Sequence, residues 1–314
     1  DYCFEGCISL TQINIPINAT KIGVYAFSKT SITTVTITNK IKQISYDAFA
    51  NCKQLVSVFI PENVTSIGTE AFISCERLKT INIPPGITII RGSTFRYCYR
   101  LNQLFLPQSI EIIETYAFAH SGISSINLPE KITKIDSYLF YNCTKLSEII
   151  IPKNVVKIYD NSFRYCKSLK KVISGELITT IGSYAFDNCN SLTRVDLYSD
   201  VTSINKNSFS NCPNLVFRLV AGSYSEEYAK TNNIDYTFLF EVATINVKII
   251  NDSDISGMKI ILKNVMTNAE NTIIASNSTN IYTIKGLLMD DIYNLSLLNN
   301  LTAFWGVISH VSTI

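Results

Sequence analysis

The sequence predicts a repeat solenoid of short strands and turns with little helix, followed by a small all-β sandwich domain. Phenylalanine recurs every 22 or 23 residues between positions 4 and 209, and most copies sit in a similar phrase of sequence. A fixed period of about 20–29 residues is typical of leucine-rich solenoids, in which no coil can bury its apolar side alone. The phenylalanines in register are Phe4, Phe27, Phe49, Phe72, Phe95, Phe118, Phe140, Phe163, Phe186 and Phe209.

The chain is predicted to contain three segments: a solenoid of about nine to ten coils (1–222), a helical C-terminal cap (223–240) and a β-sandwich domain (241–314). In the cap, Ser223 is the expected N-cap residue, and Glu226 and Glu227 lie near the positive end of the helix dipole. Asn232 and Asn233 are expected to end the helix. A polar-faced terminal element of this kind prevents solenoids from stacking end to end.

Residues 55–75 show how the first half of a coil is built. Leu55, Val58 and Ile60 occupy positions one, four and six of the repeat, the leucine-rich pattern in which a short strand turns alternate side chains inward. Pro61 follows at once and is expected to end the strand, because proline has no N–H to donate.

The second half of the same coil is predicted to hold a second short extended stretch and a bend. Ile67 is its inward residue, Gly68 is expected to permit a sharp bend, and Phe72 fills the interior of the coil. Each coil would bury about five large apolar side chains, worth about 1.5–3 kcal/mol apiece before conformational entropy is subtracted.

The pattern LxxIxIPxxVTxIGxxAFxxC resembles the BspA-like leucine-rich repeats of bacterial and protozoan surface proteins. The resemblance covers residues 1 to about 240, and the segment AGSYSEEYAKTNNIDYTF (221–238) resembles the closing cap of that family. It implies an extracellular or cell-surface protein that adheres to a host matrix protein or to another cell.

The nine cysteines follow the same period. Eight of them stand three residues after a phenylalanine of the series: Cys7, Cys52, Cys75, Cys98, Cys143, Cys166, Cys189 and Cys212. Thr30 and Ser121 replace cysteine in the two coils shortened to 22 residues, so we expect the cysteine to fill a buried niche that a shorter turn closes. Free thiols are the expected state. Disulfides remain the alternative, with Cys3 and Cys7 as a candidate pair, although parallel side chains hold Cβ atoms farther apart than the about 3.8 Å that a disulfide needs.

Positions three and five of the first strand are predicted to point outward on the concave side of the stack, a surface that we call the strand face. It is mostly neutral and polar with large apolar side chains set into it, the composition of an interaction hot spot. The candidate partner-binding residues are Phe59, Asn82, Phe105, Asn127, Ile150, Lys171, Ile173 and Arg194. Two alternatives stay open: isolated exposed apolar residues are ordinary, and Lys171 and Arg194 could pair with Glu148 and Asp196.

The turns RYCYR (96–100) and RYC (164–166) form a second candidate surface. Arginine beside tyrosine suits protein recognition, although solvated turns carry the same residues.

Catalysis, metal binding and nucleic-acid binding are not indicated. No GxSxG, HExxH, CxxC or glycine-rich phosphate loop occurs, and the histidines are His120 and His310 alone. The formal net charge is +2, and the basic residues are scattered instead of forming the stripe that a nucleic-acid binder needs. No apolar run reaches the roughly 18 residues of a membrane span. We therefore expect no enzyme activity, no cofactor and no membrane insertion in this segment.

The chain opens inside a repeat, since DYCFEGC aligns with the second half of a coil. We therefore expect the natural N-terminus to lie upstream, and any signal and anchor to lie outside this segment.

The last 70 or so residues contain short β-type runs separated by turn-forming residues, which predicts a sandwich. The stretch YTIKGLLMDDIYNLSLL resembles prealbumin-like sandwiches, including CnaB-like and carboxypeptidase-regulatory-like modules. Some CnaB-like modules carry a lysine–asparagine isopeptide bond promoted by a glutamate. Leu297 stands at the matching position here, so Lys248 is expected to be an ordinary strand lysine, and Trp305 a core residue.

The leading functional hypothesis is an extracellular or cell-surface protein that binds a protein partner through the solenoid. A structural spacer that presents another domain is one alternative, and a carbohydrate-binding module that uses the asparagine-rich and glutamine-rich face is another.

Overall fold

A computed structural model describes residues 1–239 and six strands beyond them, at 242–248, 259–264, 270–274, 281–288, 293–298 and 303–308. The chain divides into two compact units, Asp1–Thr237 and Phe238–Ile314. The first unit is a solenoid of stacked coils, which confirms the predicted repeat architecture.

Each coil of the solenoid contributes two short strands, one to each of two rows. The odd-numbered strands are β1 (Lys21–Ile22), β3 (Gln43–Ile44), β5 (Ser66–Ile67), β7 (Ile89–Ile90), β9 (Ile112–Ile113), β11 (Lys134–Ile135), β13 (Lys157–Ile158), β15 (Thr180–Ile181) and β17 (Ser203–Ile204). The even-numbered strands are β2 (Thr34–Thr36), β4 (Ser57–Phe59), β6 (Thr80–Ile81), β8 (Gln103–Leu104), β10 (Ser125–Ile126), β12 (Glu148–Ile150), β14 (Lys171–Ile173), β16 (Arg194–Leu197) and β18 (Val216–Leu219).

Strands of one row pair in parallel, in a register that places residues one coil apart side by side. Lys171 of β14, for example, lies between Glu148 of β12 and Arg194 of β16. The predicted end of the first strand before Pro61 agrees with β4, whose last residue is Phe59.

The phenylalanines form one continuous stack through the core. Successive ring centroids lie 5.0–6.0 Å apart with planes within 17° of parallel. The seven rings from Phe49 to Phe186 have no exposed surface, whereas Phe4 is 36% exposed. Each coil therefore covers the ring of its neighbour, as the period predicts.

The turn that carries each phenylalanine has an unusual backbone. In nearly every coil, the residues two before and two after the ring adopt left-handed conformations; around Phe72 these are Glu70 (φ 58°) and Ser74 (φ 55°). Such conformations cost non-glycine residues free energy and persist only where the surroundings enforce them. Here the enforcing contacts are hydrogen bonds to the next coil, such as that from the Phe72 amide to the Thr94 carbonyl, 3.1 Å.

Gly68 has a different role from the predicted one. Its φ is not in the left-handed region, so it does not supply the bend. A Cβ atom added there would lie 2.5 Å from the backbone nitrogen of Tyr46 and 2.6 Å from the carbonyl carbon of Ser45. Glycine is required because the backbone of the preceding coil approaches too closely for a side chain.

A helix follows the last coil. Helix α1 spans Tyr224–Thr231, and the Ser223 hydroxyl accepts a hydrogen bond from the Glu226 amide, 3.4 Å. The next strand, β19 (Asp235–Phe238), lies beside β18.

The phenylalanine stack ends at this helix with a change of ring orientation. Phe217 of β18 meets Phe209 edge-on at 5.0 Å, and Tyr228 of α1 lies 6.4 Å beyond Phe217. The helix thereby covers an apolar end that another coil would otherwise bury.

In the second unit the structure describes six antiparallel strands. They are β20 (Val242–Lys248), β21 (Lys259–Asn264), β22 (Glu270–Ile274), β23 (Ile281–Leu288), β24 (Tyr293–Leu298) and β25 (Ala303–Ile308). β20 pairs with β23, and the other four form a sheet in the order β22-β21-β24-β25. The side chains of Lys248, Leu297 and Trp305 lie outside what the structure describes, and the sandwich stays a prediction.

The stacked core predicts unequal effects of removing rings. Phe72→Ala should lower the free energy of unfolding by about 3–5 kcal/mol, because it opens a cavity between two covered rings. Phe4→Ala, at the exposed end of the stack, should cost less than about 1 kcal/mol. Urea unfolding followed by circular dichroism measures both, and equal losses would contradict a continuous stack.

Candidate functional site

The strand face is the outward side of the even-numbered strands. In β2 and β12 the burial pattern is exposed, buried, exposed, and three of the predicted residues are prominent on it. Phe59 is 67% exposed, Phe105 82% and Ile150 61%. These side chains are exposed because successive residues of a strand point to opposite faces. The preceding residues Val58, Leu104 and Ile149 point inward and are buried in the core.

A shallow depression lies on this face between the coils of Phe105 and Ile150. Its volume is about 250 Å³, and Asn127 lies in it between the two apolar side chains. Gln103, Ser125 and Glu148 supply the remaining outward lining. The depression thus has two apolar walls, and the rest of its lining combines polar side chains with the apolar Leu104 and Ile126.

Asn82 lies on the same face, but its amide is already occupied. Its Nδ2 donates to the Ile60 carbonyl, 2.7 Å, and its Oδ1 accepts from the Ile60 amide, 2.8 Å. The side chain therefore extends the strand ladder one residue beyond β4, because it satisfies both the amide and the carbonyl of Ile60. This role was not predictable from its outward position alone.

The charged end of the strand face is partly self-paired. Arg194 binds the Asp196 carboxylate through Nε and Nη2, both at 2.7 Å, and Nη1 of Arg218 lies 3.8 Å from the same carboxylate. Asp196 is only 4% exposed because these side chains cover it. Lys171 lies beside Glu148 in register, but the two are not among the ion pairs formed in the described part of the solenoid. Ile173, on the next outward position, is half-buried.

The cysteines form a buried column. Each thiol from Cys52 onward donates to the carbonyl of the phenylalanine in the preceding coil, with Sγ–O distances of 3.0–3.3 Å. All nine cysteines are free, and Cys3 and Cys7 are exposed. Burial raises the pKa of Cys52 to about 11 and that of Cys143 to about 12. These thiols are poor nucleophiles, because the thiolate is the reactive form.

The expectation that a shorter turn closes the cysteine niche is wrong. Thr30 and Ser121 are 3% and 4% exposed, and each hydroxyl lies 3.4 Å from the thiol of the following coil, Cys52 or Cys143. The shorter coils lack a residue after Thr30 or Ser121 and not at that position. The next inward apolar residue stands two residues after Thr30 but three residues after Cys52. A hydroxyl therefore continues the column.

Neither a metal-binding cluster nor a membrane-spanning helix occurs among the residues that the structure describes. Among the described residues, no group of three or more histidine, cysteine, aspartate or glutamate side chains could hold a metal ion. None of the helices described is long and apolar enough to cross a membrane.

The two arginine–tyrosine turns belong to one larger aromatic network. Arg96 lies over Tyr97 and Tyr116, with its guanidinium carbon 4.8 and 4.6 Å from the ring centroids. Arg164 lies over Tyr165 in the same way, at 4.9 Å, and also binds Asp187. The guanidinium groups are thus held in place by neighbouring rings.

Parallel coils that each carry a short strand with inward leucine-rich positions and a turn with a buried phenylalanine define a leucine-rich repeat solenoid. The family described as BspA type Leucine rich repeat region matches this chain in six copies, over residues 1–102 and 88–216. The chain therefore belongs to the BspA-type leucine-rich repeat family. A comparison with curated proteins finds no match.

Several solved structures are similar. A leucine rich cell surface protein of Faecalibacterium prausnitzii A2-165 is 25% identical, with 73% of this chain and 64% of that protein covered and a TM-score of 0.45. A leucine rich repeat protein of T. pallidum is 27% identical, with 51% and 78% covered and a TM-score of 0.47.

A leucine-rich repeat protein of Eubacterium ventriosum ATCC 27560 is 18% identical, with 64% of each chain covered and a TM-score of 0.50. This last likeness shows the fold alone. The chain spans 64% of the length of the Faecalibacterium protein.

The cysteine column predicts two classes of thiol. In the native protein, Cys3 and Cys7 should react rapidly with a disulfide reagent at neutral pH, and the buried thiols should react only on the time scale of unfolding. All nine should titrate once the protein is denatured without reductant. Fewer than nine free thiols after denaturation would reveal disulfides and contradict the packing role.

Proposed function

We propose that this chain is a non-enzymatic binding protein, located outside the cell or at its surface, that uses the strand face to contact a protein partner. The extracellular location and a host matrix or cell-surface partner rest on the resemblance to BspA-like surface proteins. The choice of the strand face rests on physical features of the residues around Phe105.

The observation that carries the proposal is the exposure of Phe105 and Ile150 on either side of one depression. The two side chains are 82% and 61% exposed, although large apolar residues at inward positions of the same strands are buried. Water-exposed apolar surface beside a shallow pocket is the usual composition of a binding hot spot. The rigid parallel strands hold both side chains in place before binding, which lowers the entropy that association would cost.

The size of the face favours a macromolecule over a small ligand. From Phe59 to Ile173 it crosses five strand spacings, or about 24 Å at about 4.8 Å per strand. A standard protein interface needs about 800 Å² from each partner. The depression between Phe105 and Ile150, at about 250 Å³, is too open and shallow to enclose a small substrate.

The described residues of the solenoid offer few groups suited to acid–base or nucleophilic catalysis. Burial is the main cause that lowers the pKa of His120 below its usual range, and the positive charge of Arg96 adds to this effect. The His120 ring packs against Tyr97 and Tyr141. His310 lies outside the described residues. The buried thiols have raised pKa values, so they do not act as nucleophiles at neutral pH.

Removal of the apolar walls should weaken binding without unfolding the coils. Phe105→Ser combined with Ile150→Ser should weaken the affinity for a protein ligand at least about 30-fold, because hot-spot side chains contribute about 2 kcal/mol or more each. The assay measures binding to a panel of immobilised extracellular matrix proteins and, in parallel, to a glycan array.

The matched control is Ile112→Ser combined with Leu177→Ser, which removes two exposed apolar side chains away from the depression. It should bind as the unaltered protein does. Unchanged binding by the folded Phe105/Ile150 variant would exclude the strand face. Binding to glycans alone would favour a carbohydrate-binding module, and no binding at all would favour a spacer.

A further inference from the structure

A second surface lies on the turns that follow the phenylalanines in four successive coils. We call it the turn ridge and define it as residues 96–102, 119–124, 141–147 and 164–170. Tyr97, His120, Asn142 and Tyr165 each stand two residues after a phenylalanine, in left-handed conformations with φ of 56–63°. The same backbone step in each coil places these four side chains in one column.

The rings of the turn ridge contact one another across coils. His120 lies 4.6 Å from Tyr97 and 5.3 Å from Tyr141, measured between ring centroids. Tyr141 continues to Tyr165 at 5.5 Å. The side-chain nitrogen of Asn142 also lies 2.9 Å from Nδ1 of His120. The column is therefore a preformed structure and does not need to be ordered by a ligand.

Rings and guanidinium groups cover the aromatic faces beside this column. Tyr116 stacks on Tyr138 at 4.5 Å with planes 11° apart, and Arg96 lies over the Tyr116 ring. Arg164 lies between Tyr165 and Tyr184, at 4.9 and 4.7 Å from their centroids. With these faces occupied, the ridge presents ring edges and phenol groups, and Tyr99 at its margin is 48% exposed.

The turn ridge is basic, although the chain as a whole is nearly neutral. Its four segments contain Arg96, Arg100, Lys145, Arg164, Lys167 and Lys170, and no aspartate or glutamate. Arg100, Lys145 and Lys167 are exposed and form no ion pair with any residue that the structure describes. The two preceding coils differ, because Lys53 after Phe49 is paired with Glu76 after Phe72 at 2.8 Å.

We propose that the turn ridge is a docking surface for an acidic polypeptide segment, rich in aspartate and glutamate. Three features select carboxylates: unpaired cations, phenol groups, and ring edges, which carry the positive end of the aromatic quadrupole. Tyrosine and arginine are also the residues enriched at protein interfaces. A stacked sugar would need a free ring face, and the neighbouring rings and guanidinium groups cover those of Tyr116 and Tyr165.

This surface shares no residue with the strand face, although each of its segments ends where an even-numbered strand begins. It also adds charge selectivity to a protein whose strand face is largely neutral. Electrostatic attraction of this kind raises the association rate and suppresses partners of the wrong charge.

The test measures binding of a fluorescein-labelled peptide of repeated Glu-Glu-Ala-Gly by fluorescence anisotropy. The unaltered chain should bind it saturably and lose affinity between about 0.05 M and about 0.3 M salt, since exposed charges are screened. The triple variant Arg100→Ala/Lys145→Ala/Lys167→Ala leaves the ring network intact and should bind about tenfold more weakly. The charge-matched control Lys21→Ala/Lys42→Ala/Lys153→Ala, which replaces exposed lysines outside the ridge, should bind normally.

Tyr99→Ala supplies the second arm, because it removes an exposed ring and no charge. It should weaken peptide binding several-fold. Equal binding by the triple variant and its control, or an unaffected Tyr99→Ala, would overturn the proposal. So would absence of peptide binding to the unaltered chain, or binding of a heparin oligosaccharide in place of the peptide, which would assign the ridge to sulfated polysaccharide.

Discussion

The structure depends on one constraint, the superposition of every coil on the next in a fixed register. No coil has an interior of its own. Its phenylalanine is covered by the rings above and below, and its strands find their backbone partners one coil away. The turns obey the same constraint, because the amides of Phe49, Asn51 and Asp47 all donate to the following coil. Left-handed residues before and after nearly every ring allow alternate amides to point in that direction.

Register also explains why side chains act in columns. A position repeated in each coil becomes a line of side chains, whether the line is phenylalanine in the core, cysteine in the turn or arginine and tyrosine on the surface. A buried thiol adds a second hydrogen bond to a phenylalanine carbonyl that already accepts the backbone amide three residues later, and threonine or serine can contribute a hydroxyl at the same place as the thiol. Variation in the outward columns, as at Phe105 and Ile150, leaves the stack unaffected. Such a fold can change its binding surface without changing its core.

Much of the solenoid could be predicted because its sequence states the same pattern many times. The inward column, the outward exposure of Phe59, Phe105 and Ile150, and the free buried cysteines all follow from the period. The features that the sequence did not predict arise from contacts with a neighbouring coil. Gly68 is required by the backbone of Tyr46, Asn82 is occupied by Ile60, and Asp196 is buried beneath arginines from its own and the following coil. The aromatic network likewise requires distances between residues about one coil apart, which a linear pattern does not give.

The most direct test of the fixed register is amide hydrogen exchange in the turns, which have no regular secondary structure of their own. The amides of Phe49, Phe95 and Phe163 donate to the next coil at 2.9, 2.9 and 2.8 Å. They should exchange as slowly as the amides of the neighbouring short strands, because only opening of the stack exposes them. Exchange at the rate of an exposed loop would contradict the register and, with it, every surface that the stacked coils create.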